Sequence, residues 1–200
     1  MSPRILKSPL FLLLLVVVVV FAGPRVEIDP TIHPIDLGDD VALYLENTES
    51  AFDDITPGTE KKIFWAAEAG EVTPLSVVYI HGFTASRQES APLADMVASQ
   101  LGANLFYTRL TGHGRGTLGL METSVNAWLN DAHEALEIGR RIGDKVVVIG
   151  MSAGGALTFW LSTQAAAEDV SAFVLISPAF RIMDRSSRYL LWPWGQQIGE

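Results

Sequence analysis

The stretch VVVIGMSAGGAL, residues 146–157, decides how this chain is read. Val146–Ile149 is a run of β-branched residues and predicts a strand, and a helix-forming run opens at Ala153. Between them Ser152 sits in Gly150-Met151-Ser152-Ala153-Gly154. A strand that turns straight into a helix needs small flanking residues, and such a corner pushes the serine hydroxyl out above the sheet. The helix start aims its free N–H groups and positive dipole end at the same place. A glycine-rich turn with a capping serine is the plain alternative, and the strand–turn–helix setting favours a nucleophile.

Outward from that corner the chain alternates. Residues 61–67 (KKIFWAA), 76–80 (SVVYI), 104–110 (NLFYTRL), 145–149 and 172–176 (AFVLI) read as strands. Residues 86–101, 124–142 and 153–167 read as helices, the first opened by a Ser86/Glu89 capping box. Strands this apolar, separated by helices, predict an α/β fold with a doubly wound, mostly parallel sheet covered on both faces. Chemistry then collects at the carboxyl ends of the strands.

The chain has 200 residues, 48% hydrophobic and 18% charged, which is the composition of a globular protein. Its apolar excess is concentrated in Leu10–Ala22, an uninterrupted block preceded by Arg4 and Lys7. A block of this length suits the core of a secretory signal better than a spanning helix. Export is expected, with residues 1–22 either cleaved after Ala22 or kept as an anchor; if kept, residues 5–22 contact the membrane. Residues 23–58 read as a linker and a short helix, 41–48, capped by Asp39-Asp40. Residues 59–180 form the catalytic core, and 181–200 the start of a lid. Without residues 1–22 the chain carries 12 basic and 23 acidic residues, which argues against nucleic acid as a partner. With no cysteine there is no disulfide framework, thiolate site or cysteine nucleophile.

The other strand ends carry His81-Gly82-Phe83-Thr84, Thr111-Gly112-His113-Gly114 and Ser177-Pro178-Ala179-Phe180. A glycine after His81 lets that loop fold close to Ser152. The Phe83 and Ala153 N–H groups are the expected donors to a developing oxyanion. His81 and His113 read as structural, His133 as a half-exposed helix residue, and His33 as part of the linker. No pair of them has metal-ligand spacing, so no metal is expected. The loop at 112–117 fails as a phosphate loop, because Thr117 stands where glycine is needed.

Taken together and in this order, these four strand-end segments resemble the α/β-hydrolase family, in particular its monoacylglycerol lipases, lysophospholipases and carboxylesterases. The resemblance covers residues 61–180. It implies a serine hydrolase that cleaves small or lipid-like esters, with Ser152 as nucleophile and no cofactor. It also implies an acid and then a histidine after the serine. No histidine follows Ser152, and Asp184 lies where a lid begins. The expectation is therefore a chain whose acid and histidine lie beyond residue 200, inactive on its own. The alternatives are a catalytically silent binding protein on the same fold, or acyl transfer or peptide hydrolysis.

Overall fold

A computed structural model of the chain describes residues 9–24, 28–121, 123–181 and 192–194. Residues Asp29–Phe180 form one compact unit. Its sheet has five strands: β1 (Lys62–Phe64), β2 (Ser76–Ile80), β3 (Asn104–Tyr107), β4 (Val146–Met151) and β5 (Ala172–Ile176). They lie in the order β1-β3-β2-β4-β5, all parallel except β1, which runs antiparallel to β3 at the edge. Gly150 stands opposite both Ile80 and Leu175, so three strand ends reach one edge together.

Past the polar residues Ser76 and Asn104 that open β2 and β3, the central strands are almost wholly apolar because both faces are covered. On one face Val78, Ile80, Phe106 and Val148 pack under Leu129, Leu136, Ile138 and Ile142 of α5 (Val125–Ile142) and Leu157 and Leu161 of α6 (Ala153–Ser162). Val41 and Leu45 of α2 (Val41–Ser50) join this layer. On the other face Val77, Tyr79, Leu105 and Tyr107 pack under Ala94 and Ala98 of α3 (Leu93–Leu101). Each large side chain removed from water in this way contributes about 1.5–3 kcal/mol. The cap expected at Asp40 forms, its carboxylate accepting the Ala42 and Leu43 N–H groups at 2.8 and 3.1 Å.

Several boundaries differ from the sequence reading. Residues 86–101 are not one helix: a 3-10 turn, Arg87–Ser90, precedes α3, because Pro92 lacks an N–H and its ring excludes a continuous helix. The strands 61–67 and 104–110 shorten to β1 and β3. The helix 153–167 ends at Ser162 and is followed by a separate 3-10 turn, Ala165–Ala167. A short helix α4 (Gly116–Met121) occupies what reads as loop, its two glycines having hidden it.

Residues up to 28 and from 181 form a second unit, described by itself. It holds α1 (Pro9–Phe21), 13 residues and roughly 20 Å long, against a hydrocarbon layer of about 30 Å. Among the described residues no helix is long and apolar enough to cross a membrane. Residues 5–8 of the expected leader, and Asp184 with most of the expected lid, lie outside the described residues.

Candidate active site

Ser152 is the hinge between β4 and α6, and its backbone adopts φ 52° and ψ −115°. A non-glycine residue held there costs about 1–3 kcal/mol, so the surroundings must enforce it. They do so through the main chain. The Ser152 N–H donates to the Ile176 carbonyl at 3.0 Å, and the Ser152 carbonyl accepts the Ala179 N–H at 2.9 Å. The side chain is half-buried and makes no capping bond to α6. The hydroxyl is thus presented by the backbone and left without a partner among the described residues.

Gly154 explains why the corner can be so tight. A Cβ there would stand 2.1 Å from the Ile80 carbonyl oxygen and 2.4 Å from that of His81. The first turn of α6 therefore rests directly on the end of β2. Gly82 makes the reciprocal approach: its missing Cβ would stand 3.2 Å from Ser152 Cβ and 2.6 Å from Glu89 Oε1.

The loop after β2 has alternate N–H groups tied down. Gly82 N–H donates to Glu89 Oε2 at 2.7 Å, and Thr84 N–H donates to His113 Nε2 at 3.1 Å. The Phe83 N–H between them, like the Ala153 N–H at the start of α6, has no acceptor among the described residues. Two donors unoccupied among the described residues, one adjoining the strained serine in the chain and one in the loop that packs against it, are the kind of groups a developing oxyanion requires.

His81 and His113 are occupied elsewhere. His81 is fully buried, donates from Nδ1 to the Gly82 carbonyl at 2.8 Å and accepts the Leu110 N–H on Nε2 at 3.0 Å. Burial drives its pKa down to about 4, against the pull of the Gly82 carbonyl, so it is neutral. His113, also buried, is lowered by desolvation and packs edge-on against His81 at 4.9 Å between ring centroids. Both hold backbone, as the sequence suggests. His33 offers its backbone N–H to Asn130, and His133 is half-buried on α5. None of the four histidines bonds Ser152. Among the described residues no three His, Asp or Glu side chains are grouped to hold a metal ion.

The turn carrying His113 is braced from behind. Thr111 donates its N–H and its hydroxyl to Asp131 at 2.6 and 3.0 Å, and Trp128 Nε1 donates to the Thr111 carbonyl at 3.0 Å. Arg109 forks onto Glu49 at 2.9 and 2.7 Å and reaches the His113 carbonyl at 3.1 Å. Desolvation raises Asp131 to about 6, with Lys61 and the Thr111 N–H opposing.

Glu89 departs from the sequence expectation. Glu89 does not close a capping box: Ser86 Oγ accepts the Gln88 N–H at 3.3 Å, while the Glu89 carboxylate turns to Gly82 and accepts the Tyr79 hydroxyl at 3.2 Å. Pro92, three residues on, was the signal that no long helix starts at Ser86. Ala179 also went unread as a partner of Ser152.

A family model described as serine aminopeptidase, S33, matches residues 74–198. A thermostable monoacylglycerol lipase from Bacillus sp. (strain H-257) is 30% identical over 89 residues, which is 44% of this chain and 35% of that protein. A solved structure from the metagenome-derived lipolytic enzymes LipS and LipT superposes with a TM-score of 0.59 at 28% identity, covering 68% of this chain and 52% of its own. The chain spans between a third and about half of the length of these relatives.

Proposed function

We propose, because the chain belongs to the serine aminopeptidase S33 family of α/β-hydrolases, that the protein is a serine hydrolase cleaving carboxylic esters, with Ser152 as nucleophile. One observation carries this: a serine strained at φ 52° stands beside the Phe83 and Ala153 N–H groups, and among the described residues its hydroxyl has no partner and neither N–H has an acceptor. The monoacylglycerol lipase and lipolytic relatives support the ester as substrate class.

In the reaction Ser152 Oγ attacks the ester carbonyl carbon, and the carbonyl oxygen becomes an oxyanion received by the two N–H groups. Each such donor contributes about 10²–10³ to the rate. The serine proton passes to a histidine and from it to the departing alkoxide as the C–O bond breaks; water then repeats the sequence on the acyl-enzyme. His81 and His113 hold backbone, His133 lies on α5, His33 precedes the core, and no histidine follows Ser152, so this reading assigns the histidine and its carboxylate partner to sequence outside these 200 residues. The 200 residues alone then turn over negligibly, since loss of the base costs several powers of ten. The exposed Phe83 ring, edge-on to His113 and tilted against Trp128 with centroids 5.9 Å from each, supports an apolar part of the substrate at this edge. The apolar block Leu10–Ala22 behind Arg4 and Lys7 supports export.

The test uses the natural protein that carries this sequence. A fluorophosphonate should label it and short-chain p-nitrophenyl esters should be hydrolysed, and Ser152→Ala should abolish both. Labelling that survives Ser152→Ala overturns the assignment. A natural protein that neither labels nor hydrolyses is instead a binding protein on the same fold.

A further inference from the structure

We infer that Glu89 is a positioning residue for the oxyanion donor: by holding the Gly82 N–H it anchors the residue whose ψ aims the Phe83 N–H. The inference rests on Ser152 being the nucleophile and deepens that reading.

The geometry singles out Gly82 as the place where the loop needs a tether. It directly precedes Phe83, and its ψ sets the plane of the peptide that carries the Phe83 N–H. Glycine is also the residue with the widest conformational freedom. Its lack of a Cβ leaves room for the close approach of the Glu89 carboxylate, which a Cβ would meet at 2.6 Å, and of Ser152 Cβ at 3.2 Å. Steric restriction at this position is therefore replaced by a bond. The Glu89 carboxylate accepts the Gly82 N–H at 2.7 Å, while His113 holds the Thr84 N–H on the far side at 3.1 Å. The Gly82 carbonyl, on the same peptide as the Phe83 N–H, accepts from His81 Nδ1 at 2.8 Å and from the Ala85 N–H at 3.2 Å, and Glu89 ties the other side of Gly82, so the Phe83 N–H is held in one direction. The tether is itself oriented: the Tyr79 hydroxyl, on the strand that delivers the loop, donates to the same carboxylate oxygen at 3.2 Å.

The charge on Glu89 works the other way. Its carboxylate stands close to Ser152, where an oxyanion develops, and like charges repel. Glu89 thus has two separable effects, an acceptor that helps and an anion that does not. Three substitutions part them. Glu89→Gln keeps the reach and an acceptor oxygen without the charge. Glu89→Asp keeps the charge and withdraws the oxygen by one methylene. Glu89→Ala removes both.

Ester hydrolysis by the natural protein, with kcat and KM measured separately on p-nitrophenyl butyrate, is the readout. A mis-aimed donor forfeits part of the 10²–10³ that a whole donor contributes. Glu89→Ala and Glu89→Asp should therefore lower kcat by about 10–100-fold, with KM within about threefold of wild type. Glu89→Gln should keep wild-type kcat or exceed it. An active Asp variant beside an inactive Gln variant overturns the inference, since charge and not the bond would then matter. So does Glu89→Ala with wild-type kcat. Ser152→Ala separates the two levels: hydrolysis that survives it sinks the nucleophile and this inference together. Hydrolysis abolished by it but indifferent to residue 89 sinks this inference alone.

Discussion

Gly154→Ala tests the contact on which the elbow is built, and Gly155→Ala is its control. A methyl at 154 would lie 2.1 Å from the Ile80 carbonyl oxygen and 2.4 Å from the His81 carbonyl oxygen, where ordinary contact begins at 3.4 Å. The start of α6 must then retreat by more than 1 Å, because the obstacle is backbone of β2, paired on both sides by β3 and β4. Overpacking costs about 1–3 kcal/mol, and more where backbone must move. The helix gains at most about 1 kcal/mol from alanine. The net loss is about 2 kcal/mol, a fall in Tm of roughly 4–8 °C for a domain of this size. At 155 the methyl meets the Gly150 carbonyl oxygen and Pro178 at 3.1 Å, a gap that small shifts relieve, so gain and cost nearly cancel. Thermal unfolding followed by far-UV circular dichroism reads the stability. Labelling by a fluorophosphonate well below both transitions reads the site, where a 1 Å displacement should slow reaction by about 10²-fold. A Gly154→Ala protein with wild-type Tm and labelling rate, or a Gly155→Ala protein damaged more than it, would refute the close-approach account.

Two further outcomes follow from the buried groups behind the site. Asp131 has its carboxyl raised from 3.8 to about 6, so the folded state binds its proton more tightly than the unfolded state. Its stabilising contribution is complete below about pH 4 and is lost as pH rises through 6. Urea unfolding of wild type and Asp131→Asn should show the variant gaining on wild type by on the order of 2 kcal/mol between pH 4 and pH 7; a pH-independent difference contradicts this. His81 is lowered from 6.5 to about 4, the reverse case, so the folded state sheds its proton first and stability rises with pH across that window. Long-range ¹H–¹⁵N spectra should show a neutral ring protonated on Nδ1 at pH 5.5, and a ring that titrates near 6.5 contradicts the burial.

What was legible in the sequence is what short-range patterns encode. The apolar run ending at Gly150 and the serine between glycines are local features, and they locate β4, α6 and the corner between them. The amphipathic spacing of α5 is local too, and Ser124 caps it by accepting the Ala127 N–H at 3.1 Å, as a helix start there requires. The antiparallel pairing of β1 was not legible, because strand direction is settled by which neighbour is met and not by composition. Nor was the network behind Thr111, in which Tyr44 donates to Glu134 at 2.6 Å and Lys61 pairs with the same carboxylate, across 90 and 73 residues of chain. Glu89 failed for a sharper reason. The spacing Ser-x-x-Glu names a real local bond, and a tertiary acceptor-seeking N–H at Gly82 competed for the same carboxylate and won.

The strain at this edge is arranged in a way that bears on chemistry. Among the described residues of Asp29–Phe180, the non-glycine residues with left-handed backbone are Thr84, Ser152 and Ser177, at φ 57°, 52° and 45°. All three follow strands β2, β4 and β5 at their carboxyl ends. Held singly, each would relax at a gain of about 1–3 kcal/mol. They are not held singly. Ser152 bonds the Ile176 carbonyl on one side of Ser177 and the Ala179 N–H on the other, so the two strained turns lock as one piece. Thr84 is fixed by His113, whose turn Asp131 and Arg109 brace. The enforcement thus runs through backbone and through side chains other than the serine's own. On the proposed reading, a hydroxyl that bonds nothing among the described residues is free to donate to an incoming base, and the Ser177-Pro178-Ala179 segment makes that freedom compatible with a fixed direction.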